Sequence, residues 1–188
     1  MPDKHYLVSS KELQKISALK TANAAVALFE IPKLAPIRQE GIIVVLDAVR
    51  DPGNLGTIIR LCDWFGVQVL ICSPDTADCY NPKVIQATMG SIARVSVHYT
   101  DLIPFLKTSE LPVYGAVMKG LNVYREQLPN EAILVMGNEA NGISSEIETY
   151  ISKRVTIPGF GDTKTAESLN VATATAVLLS EFRRTTET

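Results

Sequence analysis

IIVVLDAVRDPGNLGTIIRLCDWF, residues 42–65, decides the fold. Ile42 to Leu46 are aliphatic at consecutive positions, so a strand there is apolar on both faces and needs a cover on each. Behind it Asp51, Pro52 and Gly53 make a turn. Asn54 is placed to cap a helix, and Ile58, Ile59, Leu61 and Phe65 give residues 55–65 a helical period. A doubly apolar strand that feeds straight into a helix is the opening of a parallel crossover unit.

The same alternation continues outward. VQVLIC (67–72), VSVHY (95–99), PVYGAV (112–117), ILVMG (133–137) and RVTIP (154–158) read as further strands. Helices fit between them at 82–89, 101–107 and 144–151, and a last one at 169–183. Asn81 before Pro82 is a cap followed by the residue best tolerated at a first helical position, and Ser144 opens another apolar stripe with Ile147 and Ile151. In the last helix Val171, Ala174, Val177, Leu178 and Phe182 predict the inward face, with small residues around them that suit close packing. The expected fold class is α/β, a parallel sheet with helices on both faces.

Residues 1–40 differ from this pattern. They offer a short helix from Ser10, a strand at Ala24 to Phe29 and a proline-bearing linker, so a boundary is expected near Gly41: an N-terminal segment over 1–40 and one domain over 41–188. With 46% hydrophobic residues in 188, and a mean hydropathy of +0.14, the chain is apolar enough to fold and is not a disordered sequence. Its net charge of -2 predicts no partner. No aliphatic run approaches the roughly 20 residues of a membrane span, and the polar first residues are not a secretory signal, so a cytoplasmic location is expected. Cys62, Cys72 and Cys79 form no Cys-x-x-Cys pair and the histidines are His5 and His98. Neither a zinc site nor a disulfide framework is expected, and the cysteines read as buried reduced thiols.

Three glycine-containing turns follow strands, where open α/β sheets bind ligands. In the first, Asn54, Gly56 and Arg60 lie at the helix start. Arg60 there suits a phosphate, or is only a solvated arginine. In the second, Gly137 and Gly142 have the spacing of a phosphate loop, but Ile143 stands where its lysine belongs, and Asn138, Glu139 and Asn141 equally suit an ordinary loop. In the third, Ile157 and Pro158 lead through a glycine-rich loop to Ser168, Leu169 and Asn170. Ser168 is a helix cap as readily as a reactive group, since no histidine stands near it in sequence.

Taken together and in order, the three turns resemble the SpoU, or TrmH-like, RNA ribose methyltransferases of the SPOUT superfamily. Asn54, Gly56 and Arg60 match Asn-x-Gly-x-x-x-Arg. Gly137, Glu139 and Gly142 match Gly-x-Glu-x-x-Gly, and Ile157, Pro158 and Ser168 to Val171 match Ile-Pro followed by Ser-Leu-Asn-Val. The resemblance covers residues 42–183. Gly159 stands where the family usually has Met, and the six residues between Gly161 and Ser168 make this loop longer than the family pattern. Residues 6–40 resemble the tail of a small substrate-binding domain and its linker, so the chain is expected to be a fragment of a longer enzyme or to use its catalytic domain alone for RNA.

The resemblance implies methyl transfer from S-adenosylmethionine to a ribose 2′-hydroxyl, of ribosomal RNA ahead of transfer RNA, without a metal. It implies that Arg60 acts at the hydroxyl or clamps the RNA phosphate, that Asn54 and Glu139 orient it, and that Ser168 and Asn170 order the site. Clamping suits a guanidinium, which keeps its proton in almost any setting. The cofactor would lie at Gly137, Ile157 and Leu169 against main-chain groups, so a bulky residue at Gly137 is expected to exclude it while the fold survives. A C-terminal trefoil knot and a homodimer built on helices that include the last are also implied. A catalytically inactive module that only binds RNA or S-adenosylmethionine is the alternative. A Rossmann oxidoreductase is disfavoured by the missing Gly-x-Gly-x-x-Gly.

Overall fold

All of β1 (Ile42–Leu46) is buried, as a strand apolar on both faces requires. In the computed structural model, which describes residues 4–17, 23–161 and 168–184, its side chains divide by parity. Ile42, Val44 and Leu46 enter one core with α2 (Pro52–Trp64), α3 (Pro82–Thr88) and α6 (Val171–Arg183). Ile43 and Val45 enter a second core with α4 (Leu102–Lys107) and α5 (Ser145–Glu148). Helices thus cover both faces.

Five more strands complete the sheet: β2 (Val69–Cys72), β3 (Ser96–Tyr99), β4 (Val113–Asn122), β5 (Ala132–Met136) and β6 (Lys153–Thr156). The order is β3-β2-β1-β5-β4-β6 and every pairing is parallel. From β1 the chain winds outward through β2 to β3, then returns to build the other half. β1 and β5 are therefore the neighbours at which the winding reverses. The helices that follow them lie on opposite faces, which opens a crevice between the loops at 47–51 and 137–144.

Several elements depart from the sequence expectation. β4 runs on to Asn122 and meets β6 twice, at Tyr114 to Ala116 and, after a slip, at Leu121 and Asn122. The helix expected at 144–151 is the single turn α5, because only Ile147 in it is buried. In α6 the inward face is Val171, Ala172, Thr175, Leu178, Leu179 and Phe182, which leaves Ala174 and Val177 half-buried on its flank rather than in the core.

The chain divides into two units, residues 1–34 and 35–188. Ile37 and Gln39 belong to the second: Ile37 packs on the α4 and α5 core, and Gln39 accepts a hydrogen bond from Ser109 at 2.7 Å. The first unit holds α1 (Ser10–Ile16), opened by a capping box in which Ser9 and Glu12 satisfy each other's backbone N–H. Residues 24–29 do not form the expected strand. A strand needs a ladder partner, and among the described residues of this unit there is none.

Candidate active site

The start of α2 is built differently from the sequence expectation. Asp51, not Asn54, is the cap: its carboxyl accepts from the Asn54 N–H at 2.8 Å, with Pro52 at the first helical position. The Asn54 side chain is therefore released toward the crevice. Its Nδ2 donates to Glu139 Oε1 at 2.8 Å, and its Oδ1 accepts from Asn170 Nδ2 at 2.8 Å. Asn170 is itself the cap of α6, its Oδ1 accepting from the N–H groups of Ala172 and Thr173. With its oxygen committed to the cap, Asn170 has only its amide N–H to offer, so donors and acceptors along Asn170, Asn54 and Glu139 are fixed in one direction.

One residue from each of the three turns is thus joined in a single row at the C-terminal end of the sheet. Leu169 and Ser168 precede Asn170 and are exposed, Leu169 at 51%. Gly137 leaves the end of β5 and Ile157 the end of β6, so both lie at this end of the sheet. Arg60 stands further along α2, exposed and without a hydrogen bond or ion pair among the described residues. Neither Asn54 nor Glu139 bonds to it, so its reach is open to solvent.

The loop after β5 is closed on itself. Asn138 and Gly142 exchange both backbone hydrogen bonds, at 2.9 and 2.8 Å. A Cβ on Gly137 would fall 2.2 Å from the Gly142 carbonyl carbon and 2.3 Å from the Ile143 nitrogen. No side chain fits there without moving backbone, so the expectation that a bulky residue at Gly137 leaves the fold untouched does not hold for this loop. Ile143, where a phosphate loop would have lysine, is buried in the second core.

The turn after β1 is braced from β2. The Ser73 hydroxyl accepts the Ala48 N–H at 2.9 Å and donates to Asp75 at 2.7 Å, while Arg50 pairs with Asp75 at 3.0 Å. The Ser73 hydroxyl, then Arg50, hold the Asp75 carboxyl below its ordinary range. The three cysteines are buried and unpaired, and burial raises the thiols of Cys62 and Cys72 far above the ordinary value. No helix among the described residues is long and apolar enough to cross a membrane.

The SpoU rRNA methylase family profile matches residues 41–180. The chain belongs to this family. Among SpoU relatives, the 23S rRNA (guanosine(2553)-2′-O)-methyltransferase RlmP of Bacillus subtilis is 32% identical over 95% of this chain and 72% of its own length. Two solved SpoU-type structures share the fold. A TrmH-family protein from Porphyromonas gingivalis has a TM-score of 0.85 and 40% identity over 98% of this chain and 73% of that one. An rRNA methyltransferase from Sinorhizobium meliloti with AdoMet bound has a TM-score of 0.74 and 32% identity, covering 81% and 60% respectively.

The residues at this end of the sheet suit S-adenosylmethionine. A closed glycine loop offers main-chain groups, half-buried Ile157 and exposed Leu169 offer apolar surface, and among the described residues nothing lies within 4 Å of where a Cβ on Gly159 would be. Sequence reasoning singled out each motif of this SpoU site but not Asp47, a carboxyl 8% exposed at the end of β1 that accepts the Ser144 N–H at 2.7 Å. The signal available for it was an acidic residue directly after five aliphatic ones.

Proposed function

We propose that this chain methylates a ribose 2′-hydroxyl of RNA with S-adenosylmethionine as donor, ribosomal RNA being the substrate ahead of transfer RNA. The observation that carries the reading is the row from Asn170 through Asn54 to Glu139, which gathers three segments far apart in sequence at the crevice where the winding reverses. The donor, when bound, would supply an electrophilic methyl on a sulfonium: the ribose oxygen would take it in line, the carbon–sulfur pair staying on sulfur and the hydroxyl proton passing to solvent. Main-chain groups at Gly137 and the apolar surfaces of Ile157 and Leu169 would hold that donor.

Arg60 binds the phosphate beside the target ribose and so orients the hydroxyl. A planar guanidinium with no partner among the described residues is free to make that two-pronged contact. Asn54 and Asn170 fix Glu139 by the directed row and hold the start of α6 against the start of α2. Ser168, exposed just ahead of Asn170, orders the same rim. Positioning of this kind supplies most of the acceleration, since no strong base is required before the methyl has begun to transfer.

The trefoil threading belongs to the same reading. β6 lies at the far edge of the sheet, yet by Asn170 the chain has returned to Asn54 beside β1. A homodimer in the cytoplasm completes it, formed on α2 and α6, where Trp64 is 83% exposed and Val177 is only half-buried. The deciding experiment is transfer of radiolabelled methyl to unmodified ribosomal and transfer RNA, with the modified ribose mapped. Incorporation at a 2′-oxygen of ribosomal RNA is expected. Binding of the donor with no transfer to either RNA would instead identify an inactive binding module.

A further inference from the structure

The loop that carries Glu139 is held by residues outside the motif row. Glu139, Ala140, Asn141 and Gly142 are all exposed, so core packing does not set their shape and hydrogen bonds must. Those bonds come from the end of β1. Asp47 Oδ2 accepts the Ser144 N–H at 2.7 Å, which ties down the far side of the loop where α5 begins. Asn138 Nδ2 donates to the Ala48 carbonyl at 2.7 Å, which ties down the near side. Asn138 Oδ1 then accepts the N–H groups of Ala140 at 2.9 Å and Asn141 at 3.3 Å, so this one side chain links the loop to itself and to β1.

Ala48, the residue between these anchors, sits in the left-handed region at φ 58, which is unfavourable for a side chain with a Cβ. It is kept there from both sides, its N–H on Ser73 and its carbonyl on Asn138. Because Gly137 lies against Gly142 and Ile143 with no space to spare, a displacement on either side of the loop moves the other.

We propose that Asp47 and Asn138 are positioning residues for the methyl-donor loop, holding residues 137–144 in the one shape that offers the main chain at Gly137 to the donor and Glu139 to Asn54. The identity of the ligand rests on the proposed function. Neither side chain needs to touch the donor. Both act through the loop, so their loss belongs in donor affinity and not in RNA affinity.

The test compares the full chain with Asp47→Ala, Asn138→Ala and Asp47→Asn. Donor affinity is measured by calorimetry with S-adenosylmethionine and its demethylated product, and loop order by hydrogen exchange of the amides at 140–144 without ligand. Asp47→Ala and Asn138→Ala are each expected to speed exchange at Gly142 and Ser144 and to weaken donor binding by at least about tenfold, with RNA affinity unchanged. Asp47→Asn keeps an acceptor oxygen for Ser144 and should stay within about threefold of the unaltered chain. Should Asp47→Ala not fold, Asn138→Ala carries the same test from a half-buried position. Faster exchange with unchanged donor affinity, or unchanged exchange in both variants, overturns the proposal. Failure of the unaltered chain to bind either ligand overturns the proposed function instead, and the assigned role with it.

Discussion

Arg60 is an exposed residue on a helix whose other side is core, and none of the described residues bonds to it. Arg60→Ala should change stability by no more than about 0.5 kcal/mol while cutting methyl transfer by at least about 100-fold, with donor affinity nearly intact. Chemical denaturation and single-turnover kinetics check the two halves. Wild-type turnover in the variant would remove Arg60 from the site. Arg60→Lys refines the role, because little rescue indicates the two-pronged contact and substantial rescue indicates charge alone. Asn54 carries a different expectation. Asn54→Asp puts a second acceptor where Glu139 now receives a donor, so two carboxyls meet across about 2.8 Å at neutral pH. It should impair transfer more than Asn54→Ala, and unaltered transfer in both variants would show that the row is not needed. These residues were legible as motifs, yet the row was not. Its bonds span 85 and 116 positions, and sequence leaves Asp51 and Asn54 equally able to cap α2 until Pro52 settles into the first helical position.

Between elements, Gly56 shows where the sequence reading needed the structure. In sequence Gly56 is only a motif residue at the helix start, but a Cβ there would meet Ala87 Cβ at 2.5 Å and the Val84 carbonyl oxygen at 2.8 Å. The glycine exists so that α2 and α3 can touch. Gly56→Ala improves helix propensity in isolation, yet here it should destabilise by about 1–3 kcal/mol, seen as a lower Tm. A raised Tm would mean that α3 gives way freely. β3 yields a second prediction through His98, whose imidazole burial pushes below its ordinary pKa. The unfolded chain then binds more protons than the folded one below about pH 6.5, so this contribution is present above that value and is lost as pH falls. Thermal unfolding at about pH 7.5 and about pH 5.5 should show a smaller drop in Tm for His98→Gln than for the unaltered chain, and equal drops would rule out His98 as a source. The strands themselves were readable because each central one is a continuous aliphatic run. Residues 24–29 show the limit of that rule, since local pattern proposes a strand and only a partner makes one.

For the molecule as a whole, the sheet order could be anticipated only as a class, because aliphatic runs fix that strands are central and parallel but not that β5 returns beside β1. What the surface of the second unit leaves unsatisfied is clearer from the structure. Trp64 is the chain's one tryptophan and stands 83% exposed at the end of α2. Beside that end lies α6, whose Arg183 donates to the Phe65 carbonyl at 2.9 Å. An exposed indole next to a helix flanked by half-buried Ala174 and Val177 is the patch on which the proposed homodimer would form, since aromatic residues in such patches supply most of the energy when covered. Light scattering should therefore give about twice the 20.5 kDa chain mass. Trp64 also reports its own burial: its emission should lie to the blue at micromolar concentration and move to the red on dilution as protomers separate. Trp64→Glu and Val177→Glu place a charge in the covered patch and should shift the equilibrium to monomer, with Trp64→Phe close to the unaltered chain. Because Arg60 and Trp64 stand four apart and share a face of α2, the covered patch would border Arg60 and fix the helix that carries it, so transfer should fall together with the dimer fraction. A monomer at micromolar concentration, with red-shifted Trp64 emission and full methyl transfer, would overturn the dimer and leave Trp64 without this role.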